Sequence, residues 1–217
     1  YIYTSSNKSR NISNVIPISR SYFKLHEIIH DFDIKEFDLS SCIAEGPGGF
    51  INCLLDHNIT DIYGITLLTN DRKIPYWNNG LIKNNKVHIN TEQNTGNIYI
   101  KDNTINFINI IKSKGTSQFV TSDGGFDYSE DFNKQELSSY KLLYSEIFIA
   151  LNIQSEGGTF IIKLFDLFYH KTVQLIYLLF LSYSEVYIYK PTVSRLSNSE
   201  KYIVCKGFKP FNKEIID

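Results

Sequence analysis

An apolar run, Phe37 to Ile43, ends in Ala44-Glu45-Gly46-Pro47-Gly48-Gly49-Phe50, and a helical pattern (Phe50, Cys53, Leu54, Leu55) follows it directly. This stretch narrows what the chain can fold into more than any other. It reads as a strand, a tight turn and a helix, the opening unit of an α/β domain. Glycines are needed in such a turn where a side chain would keep a ligand from the backbone or block the bend. The N–H groups that open the next helix then face the ligand. The same turn also serves as an ordinary βα connection, so a function must rest on what the chain sets around it.

The chain begins with a polar, irregular segment, Tyr1 to Pro17, read as an arm. From Tyr1 to Lys24 it holds Lys8, Arg10, Arg20 and Lys24 and no acidic residue, which suits either a solvated tail or an anion-binding one. Helical spacing follows over Ser19 to Phe32, with Tyr22, Leu25, Ile28, Ile29 and Phe32 on one face, Ser19 as N-cap and Lys24 beside the apolar stripe. Lys35 to Glu45 is the first strand and Asp61 to Leu68 the second, with a helix between them, so the sheet is parallel. Asn70 to Lys86 is a long polar loop containing Trp77, and loops of that length tend to be functional or mobile. A short strand at Val87 to Ile89, a turn at Gly96-Asn97 and a helix at Ile105 to Lys112 follow.

Gln118 to Thr121 reads as a strand that opens into Ser122-Asp123-Gly124-Gly125, which places Asp123 on the edge where open α/β sheets bind ligands. Lys134 to Gln154 is a helix with Leu137, Tyr140, Tyr144, Ile147, Phe148 and Leu151 on one face. Gly157-Gly158 then leads into a buried strand, Thr159 to Leu164, that carries Lys163. An unpaired charge in such a run is costly, so Lys163 needs a partner. A helix at Phe168 to Leu181, a strand at Glu185 to Lys190 and a last strand at Glu200 to Phe208 complete the pattern. The segment Lys190 to Lys209 is again basic, and it joins the N-terminal arm in one patch only if the chain ends meet in space.

Composition removes several function classes. At 217 residues, 42% hydrophobic, 21% charged and net charge −1, the chain describes one globular domain with no global attraction to nucleic acid. Any basic surface must be local. Leu164 to Leu181 is interrupted by Asp166, His170, Lys171 and Gln174, too polar for a membrane span. Three scattered cysteines, Cys42, Cys53 and Cys205, read as buried free thiols of a reducing compartment. The histidines and cysteines form no dense Cys/His cluster along the chain, so no metal site is expected. The chain starts at Tyr1 and contains no Met, so an excised domain or a processed or trimmed product is expected, with room for long flanking regions. A dehydrogenase is rejected, because Gly46-Pro47-Gly48-Gly49 breaks the GxGxxG pattern.

Five stretches together are specific enough to name a family. SRSYFKL (Ser19 to Leu25), AEGPGGF (Ala44 to Phe50), VTSDGGFD (Val120 to Asp127), GGTFIIKLFD (Gly157 to Asp166) and KPTVSRLSNSEKYIVCKGF (Lys190 to Phe208) resemble the FtsJ-like ribose 2′-O-methyltransferases, in that family's order and spacing. Asp123-Gly124-Gly125-Phe126-Asp127 and the ending Asn198-Ser199-Glu200 look like the mRNA cap-1 branch, including members from large DNA viruses. The resemblance implies a Rossmann-like α/β domain over residues 18–217 behind an arm of residues 1–17. Its sheet would be mostly parallel and seven-stranded, with helices on both faces and the last strand antiparallel. A viral member would work in the host cytoplasm or the virion.

The family also implies a catalytic tetrad, which carries over to Lys24, Asp123, Lys163 and Glu200. S-adenosylmethionine would be the cofactor, leaving S-adenosylhomocysteine as product, with no metal. Glu45, Gly46, Pro47, Gly48, Gly49 and Phe50 would cradle its amino-acid part and ribose, Thr66 and Leu67 would bear on the ribose, and Asp123 would border cofactor and substrate. Asn97 stands where the family has an Asp against the adenine; it keeps an oxygen acceptor and loses the charge. Arg20, Arg195 and Ser197 would meet RNA, expected to be capped mRNA, alongside other capping or transcription proteins and no membrane. Trp77 is a candidate for stacking on a methylated guanine, with packing the favoured alternative. Lys163 would be the base that takes the 2′-hydroxyl proton, a role Lys24 would favour and the two carboxylates oppose. Two other readings stay open: a ribosomal- or transfer-RNA substrate, and a non-catalytic binding module on the same fold.

Overall fold

The unit expected around the glycine turn forms. In the computed structural model, which describes residues 13–35, 37–59, 61–71, 74–90, 95–125 and 135–210, β1 (Leu39–Ile43) runs through the turn into α2 (Gly49–Asp56) and on to β2 (Asp61–Ile65). Helix α1 (Ser21–Asp31) precedes them. After β2 come the one-turn helix α3 (Asn79–Ile82), β3 (Val87–Ile89), α4 (Lys101–Lys114), β4 (Ser117–Ser122), α5 (Gln135–Ile153), β5 (Gln154–Leu164), α6 (His170–Ser182), β6 (Tyr183–Tyr189) and β7 (Lys201–Phe208). The seven-stranded sheet has the order β3-β2-β1-β4-β5-β7-β6, parallel except that β7 runs antiparallel to both β5 and β6.

Two cores, one on each face, explain why β1 is buried at all five positions. On one face α1, α2, α3 and the loop before α3 pack Leu25, Ile28, Phe50, Leu54, Trp77 and Leu81 against Cys42, Ile62, Phe119, Ile161 and Val204. On the other, α4, α5 and α6 pack Ile111, Ile147, Ile153 and Leu179 against Ile43, Ile65, Val120, Phe160, Ile162 and Ile203. Alternate residues of one strand thus serve opposite cores. All three cysteines are free and buried. No helix among the described residues is long and apolar enough to cross a membrane.

Several local expectations change. Residues 1–12, which hold Lys8 and Arg10, lie outside the described residues. Helix α1 starts after Arg20 with no side-chain cap; the Ser19 hydroxyl is instead paired with that of Ser21. Strand β1 is shorter than Lys35 to Glu45, because Ala44 turns out of the strand at φ 54°. The face of α5 that reaches the core is only partly the predicted one: Ile147 is buried as expected, and Tyr140 and Leu151 pack against the core. Leu137 and Tyr144 are 61% and 52% exposed, while Leu142, Leu143, Ile149, Ala150 and Ile153 are buried. That helix is apolar around much of its circumference, so spacing alone could not choose the buried side. In α6 likewise, Leu175, Ile176 and Leu179 are buried but Val173, Tyr177, Phe180 and Leu181 are exposed.

Candidate active site

Strand direction assembles the site. Because β7 opposes β5, its first residues lie beside the C-terminal end of β5, with Lys163 facing Tyr202 and Leu164 facing Lys201. Facing residues of an antiparallel pair project to the same side, and period-two alternation returns Glu200 to that side. Asp123 follows β4, the parallel neighbour of β5, and Lys24 comes from α1 across the cleft. All four residues of the expected tetrad therefore reach one sheet edge.

They stand as two ion pairs. Lys163 Nζ lies 3.3 Å from Asp123 Oδ1 and donates to the Asp123 carbonyl at 2.7 Å. Lys24 Nζ lies 2.6 Å from Glu200 Oε1, which also accepts from the Ser194 hydroxyl at 2.8 Å. Tyr202 joins the pairs: its hydroxyl donates to Asp123 Oδ1 at 2.7 Å, and Lys24 Nζ sits 5.9 Å from its ring centre. The partner that Lys163 needed is thus Asp123. Burial pulls the Lys163 ammonium down, but Asp123, Glu200 and Glu146 more than offset this and hold its pKa above the ordinary lysine value. Burial likewise works against Glu200, yet Lys24, Lys163 and Ser194 keep its carboxyl below the usual carboxylate range.

The glycine turn is shaped by protein more than expected. A Cβ on Gly48, at φ 109°, would meet Leu81 Cδ1 at 2.0 Å; one on Gly46 would meet the Pro75 carbonyl at 2.7 Å and Thr66 Oγ1 at 2.9 Å; one on Gly49 would meet the Ser19 and Ser21 hydroxyls at 2.1 Å. The long loop after β2 and the segment into α1 therefore close on the turn. Pro47 contributes its carbonyl, which accepts from the Asn78 amide at 3.1 Å. The N–H of Phe50, expected to face a ligand, is taken by Glu45 Oε1 at 2.6 Å, and the Phe50 ring is in the core 6.1 Å from Tyr202. Glu45 Oε2 is buried and has no hydrogen-bond partner among the described residues.

Beside the turn, Thr66 Oγ1 accepts from the Gly46 amide at 3.0 Å, and Asn90 grips Thr66 at both its N–H and its carbonyl. Asn90 Oδ1 also takes the Trp77 indole N–H at 3.1 Å. Trp77 is 3% exposed, so it anchors the loop and offers no ring face for stacking. Leu67 is half-buried beside this network. Asn97 commits its Oδ1 to the Tyr99 amide at 2.9 Å, a local turn bond.

Among the described residues, the end of the first basic segment, Arg20 and Lys24, meets the second. Arg20, Lys24, Arg195, Asn198 and Glu200 line one cleft of about 240 Å³, with Ser197 exposed beside it. Glu27 of α1 brings them together: its carboxylate accepts from the Thr192 amide and hydroxyl, the Val193 amide and the Tyr189 hydroxyl. Glu27, Tyr202, Asn90 and the buried Glu146 were not singled out from the sequence. Tyr202 was within reach there, standing two positions after Glu200 on the last strand; the others become visible only through contacts 13 or more residues apart.

The family model of FtsJ-like methyltransferases matches residues 17–208. The chain belongs to that family. As an FtsJ-like methyltransferase it is similar to proteins named cap-specific mRNA (nucleoside-2′-O-)-methyltransferase 1. The mouse protein is 31% identical over 95% of this chain and 28% of the relative, and the human one is 35% identical over 77% and 21%. A zebrafish cap-specific mRNA (nucleoside-2′-O-)-methyltransferase 2 is 29% identical over 95% and 30%. The chain thus spans less than a third of the curated relatives it matches. Among solved structures, one titled as a ribosomal RNA methyltransferase of Plasmodium falciparum superposes with a TM-score of 0.62, covering 89% of this chain and 99% of that one at 22% identity. That likeness shows the shared methyltransferase fold.

Proposed function

We propose that the chain is the catalytic domain of an S-adenosylmethionine-dependent RNA ribose 2′-O-methyltransferase acting on the first transcribed nucleotide of capped mRNA. The observation that carries the proposal is the pair of ion pairs, Lys163–Asp123 and Lys24–Glu200, joined by Tyr202 at the open edge of an FtsJ-like sheet. The substrate class rests on the relatives named above and on the basic cleft beside Glu200.

The residues present fit the cofactor. Glu45 Oε2, buried and without a partner, suits an ammonium such as the amino group of S-adenosylmethionine, and Asp123 lies across the edge from it. When bound, S-adenosylmethionine supplies an electrophilic methyl group on a sulfonium. Glu45, Gly46, Pro47, Gly48 and Thr66 would form its cradle, with Leu67 and Asn97 further along the edge.

In the chain alone Lys163 is an ammonium, so its first task is to donate a hydrogen bond to the 2′-oxygen and hold it in line for attack. It can take the hydroxyl proton only from a state in which it has lost its own. Asp123 fixes Nζ through both its carboxylate and its carbonyl. Glu200 and Ser194 hold Lys24 against the ribose side of the cleft, and Arg20 and Arg195 are placed for phosphates.

Calorimetric titration of S-adenosylmethionine into the chain, with Asp123→Ala beside it, tests the cofactor site. Methyl transfer to m7G-capped RNA, to the uncapped transcript and to ribosomal RNA fragments tests the substrate. Binding lost in Asp123→Ala and transfer confined to capped RNA are expected. A folded chain that binds no cofactor would overturn the enzymatic reading, and transfer only to uncapped RNA would overturn the cap assignment.

A further inference from the structure

The α1–α2 junction, on the side of these helices away from the tetrad, brings together His26, Cys53 and His57. Only Cys53 and His57 share a short spacing, four apart on and just after α2, while His26 lies on the preceding helix. A four-residue step keeps Cys53 and His57 on one side of α2, and the packing of α1 across α2 supplies the third side chain. One donor atom from each residue lies within 4.8 Å of the other two, and His26 Nδ1 is 3.3 Å from His57 Nε2.

From this geometry we propose a Zn²⁺ site formed by His26, Cys53 and His57, distinct from the methyl-transfer centre. Tetrahedral Zn²⁺ with Zn–N bonds of about 2.0–2.1 Å holds two imidazole nitrogens about 3.3–3.4 Å apart, the separation already present here. With Zn–S of about 2.3 Å, the thiolate belongs about 3.6 Å from each nitrogen, within a side-chain adjustment of its present place. Two imidazoles and one thiolate are a borderline-soft set that favours Zn²⁺ over Mg²⁺ or Ca²⁺. A fourth position remains for water, reached from solvent past the exposed His26. Tyr22 supports the arrangement, since its ring stacks on His26 at 6.0 Å and its hydroxyl donates to Asp56, the neighbour of His57. The alternative is a pair of neutral imidazoles sharing one hydrogen bond beside a core cysteine. A bound ion would tie the helix that carries Lys24 to the helix that the glycine turn begins.

The test uses the untagged 217-residue chain, metal-free and kept reduced without thiols. Co²⁺ titration should give one equivalent of tetrahedral d–d absorption and a thiolate-to-cobalt charge-transfer band, both displaced by Zn²⁺. Zn²⁺ at a hundredfold excess over its Kd should raise Tm by about 5 °C or more. Cys53→Ser should lose the charge-transfer band. His26→Gln, at an exposed position, should weaken Zn²⁺ binding at least about tenfold in a chain whose circular dichroism shows it folded. Absence of the charge-transfer band in the folded wild type, or unchanged Zn²⁺ affinity in His26→Gln, would overturn the site.

Discussion

Tyr202 is the residue through which the two ion pairs communicate, because one hydroxyl meets Asp123 while the ring lies under Lys24. Tyr202→Phe keeps the ring and removes the donor. A loss of about 1 kcal/mol in stability is expected, with kcat falling about tenfold and cofactor affinity little changed, checked by denaturant unfolding and steady-state kinetics. Lys163 gives a second readout. Its raised pKa means that the rate climbs with pH along an alkaline limb, as the minor unprotonated form grows. Lys163→Arg keeps the charge and should abolish that limb along with most of the activity. Glu146 supplies a third test, since burial pushes its carboxyl up to about 8 from 4.5 against the pull of Ser122 and Lys163. Between those values the folded chain holds a proton that the unfolded chain has lost, so this contribution to stability falls as pH rises from about 4.5 to about 8 and is flat above. Glu146→Gln removes the dependence. Relative to wild type it should gain on the order of a few kcal/mol at pH 9 and much less at pH 5, read from unfolding curves at the two values.

The elements that frame the site are held by packing against the turn and by one carboxylate. Gly48→Ala places a methyl group on Leu81 and a side chain at φ 109°, so a loss of about 2–3 kcal/mol is expected. Adding Leu81→Ala should relieve the clash and leave the backbone strain. A double-mutant cycle with no coupling would show that Leu81 does not set the turn. Glu27 is the tie between α1 and the segment leading into β7. Glu27→Ala should raise KM for RNA several-fold while leaving cofactor binding nearly unchanged, because only the RNA side of the cleft depends on that segment. Equal effects on both ligands would place Glu27 in general stability instead. Element types and order were largely legible, since strand runs, glycine turns and helical periods are local properties. The ends of β1 and part of the buried side of α5 were not: Ala44 leaves the strand for a reason of backbone conformation, and α5 carries apolar side chains on more than one face.

At the scale of the whole molecule, a net charge of −1 coexists with a cleft that holds Arg20, Lys24 and Arg195. RNA affinity should therefore show a shallow dependence on salt. Each phosphate contact on a single strand contributes a slope of about −0.7 in log K against log salt, so Arg20→Ala should reduce the slope by about that amount, as measured by fluorescence anisotropy across salt concentrations. A slope unchanged in Arg20→Ala would remove that residue from the RNA path. By itself the sequence determined the α/β class, the strand–turn–helix opening, and a resemblance whose motifs supplied all four tetrad residues. Each of these is carried by residue type and short spacing. Only the tertiary structure decided that the antiparallel β7 inserts between β5 and β6, which sets Tyr202 opposite Lys163. It alone joined Arg20 and Lys24 to the second basic segment through Glu27, turned Trp77 into an anchor, and brought His26 to Cys53 and His57. Those contacts depend on the order in which strands pair and the side on which helices pack, and neither is written in any one stretch of the chain.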